Sequence, residues 1–542
     1  MTADHNLPQT GDRAGSGLAS PAVTRRKLLE SLGSIALATA LAPALAACGS
    51  SRPARTVADQ LSALRGRLNG ALVLPGENGF DISTQPWNAR FDHVTPIAAV
   101  LVSDAHDVSA SIEFARDNDL PFALRNGSHS FGGYSCTTGL VINVSRLTSV
   151  AYDKVTGLAE VGAGMTNLPA YEALWQHKVT VPSGTCPSVG LSGLSLAGGI
   201  GRLSLRDGLT CDRLESLEVV TSAAQVIRAS EVENPDLFWA CRGGGGGNFG
   251  AITRLRFRST PVDMPFTEMV KVYPLEHAVS VARSWQRWIE TLPITIQADL
   301  AFVTGDPEHG GATCEVWIHS SGPPADAREQ FKQFAADVGV KPLSEDGVTI
   351  PYFQFQRPSE CAGLSVAECT YENLSNRGAL VPPAMYAKSN FADRMWPDDA
   401  IEQLRAAMAA RQADNAMTPR PFDNSVHLGR ILFERLGGAV NSVAPDATAF
   451  PHRRSQFLMQ FQGRWSGSAP QSVADLNIDW VSSTVDSVRP WLTGAAYSGY
   501  IDPLLSDWPQ QYYGQNLPRL RKIKTTVDPD NAFRFAQSIE PG

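Results

Sequence analysis

Two glycine-rich stretches carry the side chains able to do chemistry. Cys186 heads VPSGTCPSVGLSGLSLAGGIGRLSLRDGLTCD (Val181 to Asp212), in which six glycines between Gly184 and Gly201 interleave with Leu191, Leu194, Leu196, Ile200 and Leu203. Those apolar residues need burial, so the run predicts a packed, glycine-lined backbone lying close against a flat or phosphorylated ligand, with the thiol as its reactive centre. The stretch alone leaves an alternative open: a tight helix–strand crossing made of small residues, with Cys186 a small core hydrophobe. The other stretch is Arg125-Asn126-Gly127-Ser128-His129-Ser130-Phe131-Gly132-Gly133. Its backbone amides, its Ser128 and Ser130 hydroxyls and the fixed charge of Arg125 suit a diphosphate, and His129 stands in the middle.

The elements that must position these residues follow from periodicity. From Ile97 to Arg125 the pattern is strand, helix, strand. Ala98 to Val102 is a short apolar run, Asp107 caps a helix with Val108, Ile112 and Ala115 on one face, and Pro121 to Leu124 leads into the His129 loop. Val141 to Val144 reads as a strand, Leu168 to His177 as a helix, and Glu218 to Thr221 with Val226 to Ala229 as a hairpin. Leu237 to Arg242 is amphipathic. The run Gly243 to Gly247, between Trp239 and Phe249, turns tightly against a buried ligand before a strand at Ala251 to Phe257. Past Pro261 to Pro265 the glycine density falls, and helices are predicted over Ala278 to Leu292, Ala325 to Val338 and Asp399 to Asn415. Of the strands between and after them, Gln456 to Trp465 is the clearest: Leu458, Gln460, Gln462 and Arg464 share one face, and Phe457, Met459 and Phe461 share the other.

Composition bounds the answer. Among 542 residues, 18% are charged and 43% hydrophobic, which is ordinary for a globular protein of two domains. A net charge of −8, with no basic run outside the N-terminus, argues against a nucleic-acid partner. Thr24-Arg25-Arg26-Lys27-Leu28-Leu29 resembles a twin-arginine export signal. It is followed by an uncharged segment, Ser31 to Ala47, and by Leu45-Ala46-Ala47-Cys48, which resembles a lipoprotein box. Lipidation of Cys48 would be the chain's link to a membrane, and export of folded protein suits a cofactor loaded beforehand. Eight cysteines include no CxxC pair, so no metal site is expected. Cys361 and Cys369 are near enough to close a small loop, with connectivity left open.

Three segments together resemble the berberine bridge enzyme-like branch of the FAD-linked oxidases, which share the vanillyl-alcohol oxidase type of fold: RNGSHSFGGYS at Arg125, PSGTCPSVGLSGLSLAGGIG at Pro182, and WPQQYYGQN with VDPDNAFRFAQSI near the C-terminus. The resemblance spans roughly Ala71 to Glu540. It implies an α+β, two-domain FAD-binding fold of the PCMH type. An export signal (1–47) and a tether (48–70) would precede a discontinuous FAD domain (71–264 and 506–542) and an antiparallel-sheet substrate domain (265–505). It also implies FAD bonded twice, by His129 through the 8α-methyl and by Cys186 through the sixth ring carbon, a neutral imidazole and a thiolate being able to attack an electrophilic ring. The cofactor would further be held by Arg125, Asn126, Gly127, Ser128, Ser130, Thr185, Val189, Gly190, Ser192, Gly193, Gly198, Gly199, Gly201, Ile252, Tyr512 and Asn516. Ser128 stands where the family usually has glycine, and Val189 holds the position of a gate for dioxygen.

On the substrate side, Gln460 matches an active-site glutamine or glutamate. Tyr500, in a strand Ala496 to Asp502, matches the tyrosine that serves as base, with Gly499 replacing the usual asparagine. Read without the resemblance, Tyr500 is a strand aromatic packing on its neighbour. A phenol needs a lowered pKa to act as base, and Arg464 is the candidate charge. The function implied is an exported oxidase that takes a hydride from a hydroxyl-bearing substrate, a carbohydrate or oligosaccharide, and returns the electrons to dioxygen as hydrogen peroxide. The alternatives are a tailoring oxidase for an aromatic or glycosylated natural product and a surface solute-binding lipoprotein. The presence of both His129 and Cys186 speaks against the latter. A nucleotide-hydrolysing enzyme is weaker, because no glycine-rich loop continues as GK[ST].

Overall fold

Helix α1 (Val57–Arg65) places Leu61 and Leu64 on one face by their three-residue spacing and buries both. The tether expected to extend to residue 70 is helical in this part, and the apolar stripe of α1 joins the core of the first half of the chain. A computed structural model describes residues 56–306, 308–309, 311–358, 361, 363–370, 383–417 and 429–542, and Val57–Gly542 is one compact unit. The arginine pair and Cys48 lie outside the described residues.

The first sheet contains β1 (Ala71–Val73), β2 (Ala98–Leu101), β3 (Phe122–Arg125) and β4 (Leu140–Asn143), in the order β1-β2-β4-β3. β2, β4 and β3 are parallel, and β1 joins the edge antiparallel. The parallel pairing needs a crossover, which α2 (Ala105–Asp117) supplies by burying Val108, Ile112 and Ala115. Its cap is Asp104, whose side chain accepts from the Asp107 amide, and not Asp107 as the sequence suggested. Asp107 turns inward and takes the amides of Asn69, Gly70 and Ser103.

Next come β5 (Val150–Asp153), β6 (Leu158–Gly162), β7 (Val179–Thr180), β8 (Leu214–Val220), β9 (Val226–Ser230), β10 (Ala251–Arg258) and β11 (Thr260–Pro261). All but the β7/β11 pair form an antiparallel sheet in the order β5-β6-β10-β8-β9, which contains the expected β8/β9 hairpin. Helices α3 (Asn167–Trp175) and α4 (Leu191–Ala197) flank the Cys186 segment.

The largest sheet is antiparallel throughout. It is built from β12 (Pro265–Pro274), β13 (Ile296–Asp306), β14 (Gly311–Ser320), β15 (Ser344–Pro351), β16 (Ala384–Ala392), β17 (Gly429–Arg435) and β18 (Phe457–Trp465), in the order β15-β12-β14-β13-β17-β18-β16. Period-two alternation gives it two unlike faces. Leu300, Phe302, Val316, Ile318, Ile431, Phe433, Phe457, Met459 and Phe461 are buried in one core. With them pack α5 (Ala278–Thr291), α6 (Pro324–Val338), α7 (Asp398–Met417) and α8 (Gln471–Ser487), and Trp285 meets Phe433 and Phe457 edge-on at 5.9 and 5.6 Å. The intervening residues, among them Asp299, Trp317, His319, Arg430, Leu432, Glu434, Gln460, Gln462 and Arg464, face a cavity.

Residues 496–502 are not a strand. Ser498–Tyr500 is a single 3-10 turn, with the Tyr500 amide on the Tyr497 carbonyl. The Ala496 amide is taken by the Gln511 carbonyl, in a short helix, and the Tyr497 amide by the Ser389 side chain on β16, so the segment's donors are not spent on a neighbouring strand's carbonyls and no ladder forms. Cys361 and Cys369 are joined in a disulfide with a Cα separation of 5.4 Å.

Candidate active site

The cavity, of about 1340 Å³, runs from the glycine turn Gly245–Gly247, past the His129 and Cys186 loops, to the polar face of the large sheet and the turn at Tyr500.

β3 delivers the His129 loop. Ser128 has φ 66°, a left-handed conformation that costs a side-chain-bearing residue about 1–2 kcal/mol and that glycine adopts freely. Its hydroxyl offsets that cost by accepting from the Trp87 amide at 3.1 Å and from the Arg125 guanidinium. Arg125 also donates to the Ile82 carbonyl at 3.1 Å, so its charge braces the loop as well as lining the wall. The His129 ring stacks on Trp87 at 4.5 Å, and its Nε2 meets Ser188 Oγ at 2.8 Å. Desolvation, seconded by the Arg125 charge, pushes the imidazole down to about 3, so it is neutral and one ring nitrogen keeps its lone pair.

The Cys186 loop is held from α3. Asn167 Nδ2 donates to the Cys186 carbonyl at 3.0 Å, Tyr171 donates to the Gly184 carbonyl at 2.7 Å, and Ser183 donates to Asn167 Oδ1 at 2.8 Å. The two loops touch backbone to backbone, since a Cβ on Gly127 would lie 2.2 Å from the Ser188 carbonyl oxygen. Burial pushes the Cys186 thiol above its ordinary pKa, against hydrogen bonds around Ser188 and the Arg464 charge. The resting group is therefore a thiol, not the thiolate the residue type suggested, because desolvation outweighs these stabilising contacts.

Of the residues read as cofactor-binding, Arg125, Asn126, Gly127, Ser128, His129, Ser130, Thr185, Cys186, Val189, Gly190, Ser192, Gly193 and Ile252 line the cavity. Gly198, Gly199, Gly201, Tyr512 and Asn516 do not, and the structure gives them packing roles. A Cβ on Gly198 would meet the Phe450 ring at 2.9 Å, one on Gly199 would meet Thr210 Oγ1 at 2.2 Å, and one on Gly201 the Ser183 carbonyl oxygen at 1.8 Å. Tyr512 accepts from the Asp502 amide, and Asn516 donates to the Pro445 and Thr448 carbonyls. Gly193 differs: a Cβ there meets nothing within 4 Å, and one on Gly246 across the slot comes no nearer than 3.8 Å to Gly193. Side chains at these two positions would occupy the slot itself. A narrow glycine-walled slot leading to a neutral imidazole and a half-buried thiol suits a long ligand with a flat aromatic end, as FAD is.

On the sheet side, Tyr500 donates to Glu434 Oε2 at 3.0 Å, and its ring lies parallel to Phe131 at 5.6 Å. Burial first, then the Asp299 charge, push Glu434 up to about 7. Burial and the Glu434 charge raise the Tyr500 phenol well above its ordinary value, the reverse of the expected lowering. Arg464 is not its stabilising charge: Arg464 acts on Cys186, and the cation acting on Tyr500 is Arg430. Gln460 is buried, with its Nε2 lacking a partner among the described residues. Sequence reasoning missed Glu434, Arg430, Asp299 and Trp87. Alternation along Gly429–Arg435 could have found the first two, whereas Trp87 precedes its partner Ser128 by 41 residues with no local signal.

The family description for an FAD binding domain matches residues 96–230, and that for berberine and berberine-like proteins matches residues 496–540. The chain is 30% identical over 484 residues to the FAD-linked oxidoreductase YgaK of Bacillus subtilis, with 88% of this chain and 98% of that one covered. It is 26% identical over 499 residues to a carbohydrate oxidase of Microdochium nivale, covering 86% and 92%. BBE-like 1 of Physcomitrella patens, a solved structure, is similar with a TM-score of 0.78 at 25% identity, covering 89% of this chain and 99% of that one. Its α+β fold, its glycine-walled slot and these matches agree: the chain belongs to the berberine bridge enzyme-like family of FAD-linked oxidases and is an FAD-dependent oxidoreductase.

Proposed function

We propose that the protein is an exported oxidase of carbohydrate or oligosaccharide hydroxyl groups, with FAD bonded to both His129 and Cys186. The observation that carries this reading is the Tyr500–Glu434 hydrogen bond, which faces the same cavity as His129 and Cys186. FAD, when bound by the two loops, would supply a two-electron acceptor for the carbinol hydride, with dioxygen as the terminal acceptor and hydrogen peroxide as its product. The chain's own residues handle the proton. Tyr500 Oη takes the substrate hydroxyl proton as its own passes to Glu434 Oε2, so a phenol of high pKa serves as relay and the carboxylate as the final base. The orphaned Gln460 Nε2 donates to the substrate oxygen and orients it. The polar sheet face and the likeness to a carbohydrate oxidase support a sugar as substrate. The ordered arginine pair, apolar stretch and Cys48 support export and lipidation.

Acid-precipitated protein should remain yellow, as should each of His129→Ala and Cys186→Ala, while the double variant should release its flavin. Peroxide release against a panel of mono- and oligosaccharides and aromatic alcohols tests the substrate class. Turnover confined to the aromatic alcohols would replace the carbohydrate reading with a natural-product oxidase. Membrane association lost in Cys48→Ala would mark the lipidated residue.

A further inference from the structure

The roof of the cavity is electrically divided along its strands. Glu434 on β17 and Asp299 opposite it on β13 form an acidic end beside Tyr500. Four residues earlier on the same face of β17 stands Arg430, about 13 Å away along the strand. In register with Arg430 is Gln462 of β18, and two residues further on the same face comes Arg464. Both arginines line the cavity. Arg464 donates from Nε to Gln462 Oε1 at 3.0 Å, and Arg430 Nε is buried without a partner. Neither forms an ion pair with a carboxylate among the described residues. Their strand neighbours cannot supply one, since Val303 lies opposite Arg430 and Met385 opposite Arg464. The two guanidinium groups repel one another, and burial together with the Arg430 charge pulls Arg464 down to about 10. A pair of like charges half-buried in a cavity wall with no carboxylate in ion-pair contact is unfavourable unless something else neutralises it. Two other half-buried cations are paired instead, Arg202 with Glu268 at 3.4 Å and Lys388 with Asp502 at 2.7 Å.

We propose that Arg430 and Arg464 bind an oxyanion substituent of the substrate, so that the enzyme acts on acidic sugars: uronates or sugars esterified with phosphate or sulfate, held by that group at the basic end while the reacting hydroxyl meets Tyr500 at the acidic end. Planar guanidinium forks match the geometry of carboxylate, phosphate and sulfate oxygens, and Gln462 holds one fork in place. The inference rests on the reading of this cavity as the site of hydroxyl oxidation, and it narrows the substrate class within that reading.

The test uses the FAD-loaded full chain and four probes: D-glucose, D-glucuronate, glucose 6-phosphate and glucose 6-sulfate. Binding is followed anaerobically by the perturbation of the flavin absorbance, and turnover by peroxide release. At least one acidic probe should bind about 10- to 100-fold more tightly than glucose at low salt, the range for charge-assisted hydrogen bonds, and lose much of that advantage as salt is raised. The preferred probe identifies the anion. Arg430→Gln and Arg464→Gln should each collapse the ratio of acidic to neutral binding, and Arg464→Lys should restore part of it. Equal binding of glucose and all three acidic probes overturns the proposal. So does a preference unmoved in both glutamine variants but accompanied by a lowered flavin potential, which would assign the arginines to the cofactor. Binding with this preference but without turnover would uphold the anion site while removing the oxidase reading, so the two fail separately.

Discussion

Glu434 sets the pH response of the proposed proton relay. Its carboxyl is held near 7, foremost by burial and then by the Asp299 charge. Only the ionised form can accept the Tyr500 proton, and ionisation grows as pH rises. Flavin reduction by substrate should therefore accelerate with pH through about 7 and level off above it, as measured by anaerobic stopped flow between about pH 5 and about pH 9. Glu434→Gln should abolish the rise and, like Tyr500→Phe, slow reduction by ~10²–10⁴-fold, the range for losing a general base. Reduction that keeps its pH profile in Glu434→Gln would show that the proton goes elsewhere. Both residues are legible as chemistry-bearing types, but only the fold makes them a pair, 66 residues apart in sequence and 3.0 Å apart in space.

At the scale of elements, the site depends on two loops pressed together and on one small side chain between them and the ring's space. Gly127→Ala would drive a methyl to 2.2 Å from the Ser188 carbonyl oxygen and 2.5 Å from the Gly190 amide nitrogen. Backbone on both sides cannot yield as a flexible side chain would, so the loops must separate. The variant should purify with substoichiometric FAD, read from the ratio of flavin to protein absorbance, and full loading would show that the loops can part without loss. Val189 lines the same cavity, and a further methylene fills a small void in a close-packed wall. Val189→Leu should slow reoxidation of the reduced cofactor by dioxygen while leaving its reduction by substrate little changed, and stopped-flow mixing with aerated buffer reads both steps. The alternation along β18 was readable in advance, because a strand with one apolar face announces its register. The 3-10 turn at Tyr500 was not, because the strand expected at 496–502 rested on the resemblance, while the segment's hydrogen-bonding partners come from β16 and from a helix around Gln511.

The whole molecule joins its cores at a few buried polar ties. Arg453, fully buried just ahead of β18, makes a bidentate pair with Asp212 at 2.7 and 2.8 Å, and the same carboxylate accepts the Leu209 amide. This fixes the turn that ends the Cys186 segment to the strand that roofs the cavity. Asp212→Asn leaves a buried guanidinium uncompensated and should destabilise the fold by about 3–5 kcal/mol, seen as a lower melting temperature, whereas a surface pair such as Arg519–Asp236 should be worth less than about 1 kcal/mol. An unchanged melting temperature in Asp212→Asn would show that the guanidinium finds other partners.

By itself the sequence pointed to the class of fold and the FAD-binding character through a family resemblance carried by three short motifs, and glycine spacing singled out the loops that hold His129 and Cys186, because such signals are local. Those signals also located some of the elements, among them β2, β3, β4, β10 and β18 and the long helices α5, α6 and α7. Tertiary structure decided what no local pattern encodes. It turned Gly198, Gly199 and Gly201 away from the cavity, where backbone approach needs small residues as surely as a ligand does. It paired Tyr500 with Glu434 and left Arg464 to Cys186, since electrostatic partners are chosen by distance across strands, not by separation along the chain. And it raised the very pKa values that residue types alone would have lowered, because desolvation is a property of the assembled interior and exists in no segment before it folds.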